Sequence, residues 1–186
     1  THQFNINDPV LNVGGNVTMP TNTGFLASNS SAFTVGGSWS NSGNFTHNSG
    51  TVTFNATATG KTISTNGDAF YNLAFNGVGG GWSFGASAAT VAGNLTITNG
   101  TVTAPSTTLT ITGSYSNSGT FTHNSGTVLF NATAGGKTLG GTMTGTSVFN
   151  ILTFNGVGGG WSFGANAAAV AGNLTITNGT VTAPST

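Results

Sequence analysis

The chain has 186 residues, is 36% hydrophobic and 10% aromatic, and carries 2% charged side chains at zero formal net charge. Lys61, Lys137, Asp8 and Asp68 are the only charged side chains, and there is no Arg, Glu or Cys. The apolar content excludes a disordered linker, two cations are too few for a nucleic-acid partner, a disulfide frame is impossible, and no apolar run reaches the roughly 18 residues of a membrane span.

With so few charges, electrostatics contribute little to stability, and salt and pH are expected to matter little. That suits an exposed, extracellular or cell-surface setting. Neutrality also removes the repulsion that keeps copies apart, so self-association is expected. The chain begins at Thr1, without Met or a signal-peptide pattern, as a mature, processed or excerpted segment would.

In chain order, Phe4, Ile6 and Val10, with Asn5 and Asn7 alternating, predict a short strand followed by an Asp8-Pro9 turn. Asn16 to Met19 alternates again, and Pro20 to Ser31 reads as a polar loop carrying Phe25 and Leu26. Residues 1–31 are therefore set apart as an atypical N-terminal segment. From Ala32 the pattern is regular: Phe33 and Val35 share a face, Gly36-Gly37 breaks the run, and Trp39 opens a repeated block.

That block, Ser38 to Thr57, returns 76 positions later as Ser114 to Thr133. A longer one, Leu73 to Thr107, returns 79 positions later as Leu152 to Thr186 with three differences. The offsets differ by a three-residue insertion between Lys137 and Phe149, where Gly140 to Thr146 reads as a loop. The repeats are 32–107 and 108–186. Within them, apolar pairs such as Val52 with Phe54 alternate with corners such as Asn48-Ser49-Gly50, Asn76 to Gly81 and Asn99-Gly100. Gly and Asn supply the left-handed backbone such corners need. Ala86 to Ala92 is too short for an isolated helix.

The expected fold class is all-β. Near-identical copies favour a parallel β-solenoid, with coils about 4.8 Å apart and roughly 19 to 26 residues each, over the alternative of tandem β-sandwich domains.

The phrases from Asn117 to Asn131 and from Gly172 to Thr182 resemble the β-strand repeats of very large secreted bacterial surface proteins, adhesin-like and filamentous-haemagglutinin-like in style. The similarity covers most of Gly37 to Thr186. It implies export, a parallel β-helix, and a role in adhesion or an extracellular fibre.

Candidate chemistry is sparse. His47 and His123 each follow a Phe on one strand face and precede an Asn-Ser-Gly corner; they are one repeat apart and read as neutral side chains bonded to their corners. No catalytic residues, cofactor-binding residues or metal ligands are assigned, since Asp8 and Asp68 form no acid/base pair, and the chain is not expected to be an enzyme. Gly77 to Gly81 and Gly156 to Gly160 read as tight corners closed by Trp82 and Trp161, rather than phosphate cradles. If exposed, Trp39, Trp82 and Trp161 would offer sugar-stacking platforms. Lys61 and Lys137 read as guards at sheet edges. Thr-x-Thr pairs such as Thr96/Thr98 and Thr175/Thr177 give the outward hydroxyl ladder an ice binder would use, but at no fixed spacing.

The function these features favour is an extracellular structural protein that forms a fibre, sheath or surface layer by stacking end to end; the alternative is an adhesin, or an ice- or glycan-binding module. The expected partner is a second copy, head to tail, with cell surfaces, abiotic surfaces or glycans as further contacts. The candidate assembly residues are Phe4 and Ile6 at one end, and Thr180, Val181 and Thr182 at the other.

Overall fold

The computed structural model describes residues 2–3, 10–27, 29 and 32–185. Alternation of apolar and polar residues produces short strands in which one face is buried: Phe33 and Val35 are in the core, while Thr34 between them is partly exposed. The strands stack as successive turns of a single coil.

The chain opens with β1 (His2–Gln3), then β2 (Leu11–Val13), β3 (Val17–Met19) and β4 (Gly24–Leu26). The second turn carries β5 (Phe33–Val35), β6 (Trp39–Asn41) and β7 (Asn44–Thr46), and the third carries β8 (Thr51–Phe54) and β9 (Lys61–Ser64). Next come β10 (Asn72–Ser83), β11 (Ala89–Val91), β12 (Leu95–Thr103), β13 (Thr108–Ile111), β14 (Tyr115–Asn117), β15 (Thr120–Thr122) and β16 (Thr127–Phe130). Last are β17 (Lys137–Gly141), the 3-10 turn Gly145–Ser147, β18 (Ile151–Ser162) and β19 (Leu174–Thr182). The inserted segment forms that 3-10 turn.

Every strand pairing among the described residues is parallel. The protein is a parallel β-solenoid of about 8 turns. The sandwich alternative fails, because its sheets require antiparallel neighbours. Leu11 pairs Phe33, Phe33 pairs Val52, Val52 pairs Leu73, Leu73 pairs Leu95, Leu95 pairs Tyr115 and Tyr115 pairs Leu139. The steps run from 19 residues (Phe33 to Val52) to 24 (Tyr115 to Leu139).

Three faces make up each turn. Face A carries β2, β5, β8, the start of β10, the start of β12, β14 and β17; face B carries β3, β6, β9, the end of β10, the end of β12 and β15. Face C carries β4 and β7, then, above Phe70, β11, β13, β16, the start of β18 and the start of β19. Adjacent faces are joined by a recurring corner with a Gly two residues before the next strand, as in Val35-Gly36-Gly37-Ser38-Trp39 and Ile111-Thr112-Gly113-Ser114-Tyr115. A Cβ on Gly113 would overlap the Gly93 carbonyl of the turn below. The corner's Asn side chain bonds across turns: Asn16 Oδ1 accepts from the Ser38 amide at 2.8 Å, Asn72 Oδ1 from Asn94 at 2.9 Å, and Asn94 Oδ1 from Ser114 at 2.8 Å.

The two repeats do not lie on the same faces. Leu73 belongs to face A and its copy Leu152 to face C; Trp82 belongs to B and Trp161 to A. Local packing is preserved all the same. Phe54 stacks on Phe75 at 5.4 Å, as Phe130 does on Phe154, and Phe75 and Phe154 each meet their Trp at 5.1 Å. One repeat therefore spans three turns and two faces. Its surface features wind around the shaft instead of lining up along one side.

Candidate functional site

The solenoid contains its own control experiment. β12 and β19 have the same sequence, Leu-Thr-Ile-Thr-Asn-Gly-Thr-Val-Thr, and each rests on a β-strand of the turn below, β10 or β18. β12 is also covered from above by β14 and β15, whereas β19 has no further strand partner among the described residues. The consequence is large: Leu95 and Ile97 are 1% and 0% exposed, while Leu174 and Ile176 are 56% and 51% exposed.

The whole last turn shares this state. Ala89 and Val91 are buried beneath β13, but their counterparts Ala168 and Val170 are only partly covered. Thr180, Val181 and Thr182 are held on one side by Gly160, Trp161 and Ser162, and their other side is free of strands among the described residues. A row of unpaired strand amides and carbonyls beside inward-type aliphatic side chains is a template for adding another strand.

At the opposite end, Leu11, Val13, Val17, Met19, Phe25 and Phe33 line a mostly apolar hollow of about 460 Å³. The backbone of β1 pairs with β4 of the same chain, His2 with Phe25 and Gln3 with Leu26. Phe4 and Ile6, the other proposed assembly residues, lie outside the described residues.

The remaining candidates resolve into structural roles. His47 Nδ1 accepts from the Ser49 amide at 3.0 Å and His123 Nδ1 from the Ser125 amide at 2.8 Å, in corners where Asn48, Ser49, Asn124 and Ser125 have positive φ. An accepting Nδ1 requires the neutral ring. His47 also stands 5.4 Å from the Tyr71 ring, and desolvation holds its pKa below the ordinary 6.5. The unfolded chain therefore takes up a proton first, and stability falls as pH drops through 6.5. Thermal melts at pH 7.5 and 5 are expected to show a small loss in acid that His47→Gln removes.

Trp39, Trp82 and Trp161 are at most 2% exposed. The sugar-stacking expectation is therefore corrected: each indole is a core element. Trp39 sits between Phe45 at 4.9 Å and Phe70 at 5.1 Å, and the rings of Trp82 and Trp161 are folded beneath the glycine corners at Gly80 and Gly159. The Nε1 atoms of Trp82 and Trp161 are buried without a hydrogen-bond partner. Lys61 and Lys137 are not edge guards either, because β9 and β17 are paired on both sides. Each Lys lies in register with the Trp of the next turn.

One polar network has no signature in the residue pattern. Asn41 is 2% exposed; its Nδ2 donates to Thr65 O at 3.0 Å and to Asp68 Oδ2 at 2.8 Å, and the same Oδ2 accepts from the Phe45 amide at 2.7 Å. In the second repeat Ser147 replaces the acid, its Oγ accepting from the Phe121 amide at 3.1 Å. Tyr115 takes the place of Trp39, and burial pushes its hydroxyl pKa far up, partly opposed by the neighbouring Asn117 side chain. Asp68 thus satisfies the Phe45 amide, a task a hydroxyl also performs at Ser147. Among the described residues no three His, Cys, Asp or Glu side chains group as metal ligands would.

Comparison with protein-family models, curated proteins and solved structures finds no match to the chain. No helix among the described residues is long and apolar enough to cross a membrane.

Proposed function

We propose that the chain is a structural element of an extracellular fibre, sheath or surface layer, built by end-to-end stacking of β-strands between copies. The observation that carries this reading is the all-parallel stacking of about 8 turns, in which the strand edges of each turn pair with those of the next and cohesion runs along the axis. Burying the half-exposed Leu174 and Ile176 gains on the order of 1–2 kcal/mol each. Strand pairing along the edge adds direction and register.

A contact between two different ends of one molecule is heterologous and does not close, so its product is a polymer. Near-zero net charge supports the same reading, because nothing long-ranged opposes approach. The resemblance of the repeats to secreted bacterial surface proteins supports an extracellular, cell-surface setting. Adhesion to cells, abiotic surfaces or glycans would then be a property of the shaft.

The test is to concentrate the purified chain stepwise, following it by light scattering and negative-stain electron microscopy. Unbranched filaments one solenoid wide are expected above a threshold concentration. Dispersed single particles at every concentration would refute the proposal.

A further inference from the structure

The chain's only two lysines occupy the same position in the fold. Lys61 opens β9 and Lys137 opens β17, and in each strand the residue two further on, Ile63 or Leu139, is buried. Alternation therefore starts each lysine from the core side of its strand. Pairing agrees: Lys61 is in register with Trp82, Val102 and Phe121 of successive turns, and Lys137 with Trp161 and Val181. An ammonium cannot stay in such a column, so the aliphatic stem lies along the edge of the core and the charge leaves at the surface. Both residues are half-buried.

Each lysine borders a groove between turns. The first, about 270 Å³, also touches Ser83, Thr101 and Thr103; the second, about 200 Å³, touches Ser162, Thr180 and Thr182. These are matching positions of the two repeats, held by matching pairings: Gly81 with Thr101 and Ser83 with Thr103, then Gly160 with Thr180 and Ser162 with Thr182. The missing side chains at Gly81 and Gly160 keep the grooves open. A Cβ at Gly81 would come 3.0 Å from Thr59 Cγ2, and one at Gly160 would come 3.1 Å from Gly135 Cα. The groove at Lys61 lies within the solenoid, with β15 above its upper wall, so it does not depend on the last described turn.

Among the described residues no carboxylate answers either charge. Asp68 is the one acidic side chain there, and Asn41 Nδ2 and the Phe45 amide both bond its Oδ2. A chain with 2% charged residues thus places a lysine in the same hydroxyl-lined groove twice, on interior strands that need no edge protection. Ser83 Oγ accepts from the Gly85 amide at 3.3 Å and Ser162 Oγ from Gly164 at 3.1 Å, so each hydroxyl keeps its own hydrogen to donate.

We infer that each groove is a subsite for a sugar acid, a pyranose ring bearing one carboxylate. The ammonium takes the carboxylate, the Ser and Thr hydroxyls exchange hydrogen bonds with the ring hydroxyls, and the Thr methyls and lysine stem carry the ring's C–H face. One cation per groove suits a singly charged residue, whereas a polyphosphate chain needs several. The grooves open on different faces, B and A, so the two subsites act independently. Neither requires copies to stack.

The test is calorimetric titration of the purified chain with digalacturonate. Two sites per chain are expected, one in Lys61→Gln or Lys137→Gln, and none in the double variant. The neutral galactose disaccharide of the same linkage should bind at least about tenfold more weakly. Thr103→Val with Thr182→Val keeps both charges and should weaken digalacturonate about fivefold; this pair carries the test if a lysine variant fails to fold. Absence of binding, a stoichiometry unchanged in folded lysine variants, or equal affinity for the neutral disaccharide overturns the inference. Full displacement by sodium sulfate at matched ionic strength, with no effect of the threonine changes, would mean an adventitious ion only and overturns it as well.

Discussion

Leu95→Asp is expected to destabilise the fold by more than about 4 kcal/mol, because it places a carboxylate in a fully apolar column. The same change at Leu174 is expected to move the monomer's melting temperature by no more than about 2 °C. The two residues occupy identical nonapeptides, so local propensity is the same at both. What differs is the covering turn: Tyr115 pairs with Leu95, and no described residue lies over Leu174. The second part of the expectation concerns growth. An aspartate at 174 puts a charge on the edge where the next copy would add a strand, and filament formation should be lost while circular dichroism of the monomer is unchanged. Loss of the fold in both variants would mean that the last turn is covered after all.

Gly77→Ala is expected to lower stability by about 3 kcal/mol, an overpacking effect, or on the order of 6–12 °C in melting temperature for a chain of this size. Gly77 is buried at the corner of β10, and a Cβ there would overlap the carbonyl oxygen of Ala56 in the turn below. Neither atom can yield without breaking the stacking of coils. Its copy Gly156 meets the Ala132 carbonyl in the same way, so the effect should recur there. Gly135→Ala serves as the contrast. Nothing lies within 4 Å of its Cβ position, and the change should raise stability by about 0.4–1 kcal/mol by restricting the unfolded chain. Equal effects at Gly77 and Gly135 would show that coil spacing does not depend on the corner glycines.

The solenoid itself was legible because its causes are local. Two-residue alternation, Gly-Asn corners and near-identical copies all point to stacked short strands, and the insertion between Lys137 and Phe149 could be located by comparing two offsets. The face of each strand was not legible. Turn lengths vary from 19 residues (Phe33 to Val52) to 25 (Met143 to Ala168), so counting along the chain cannot tell that Leu152 has moved from face A to face C. Edge and interior were equally hidden: β9 and β17 are interior strands because of residues some twenty positions away, and Lys61 carries no mark of that. The tryptophans went the same way, since an indole beside glycines is compatible with either an exposed platform or a buried plug. Asn41 and Asp68 were missed because their partners, Thr65 O and the Phe45 amide, come from neighbouring turns and are backbone groups. In the last described turn the large apolar exposure is at Leu174 and Ile176, six and four residues before Thr180.

The central claim is that cohesion runs along the solenoid axis from one copy into the next. Cryo-electron microscopy of filaments grown from the purified chain tests it most directly, through the axial rise per subunit. About 8 turns at ~4.8 Å per turn give an expected rise of about 40 Å, with strand density continuous through the joint. Subunits touching side by side, or separated by a gap that breaks the 4.8 Å spacing, would contradict the account.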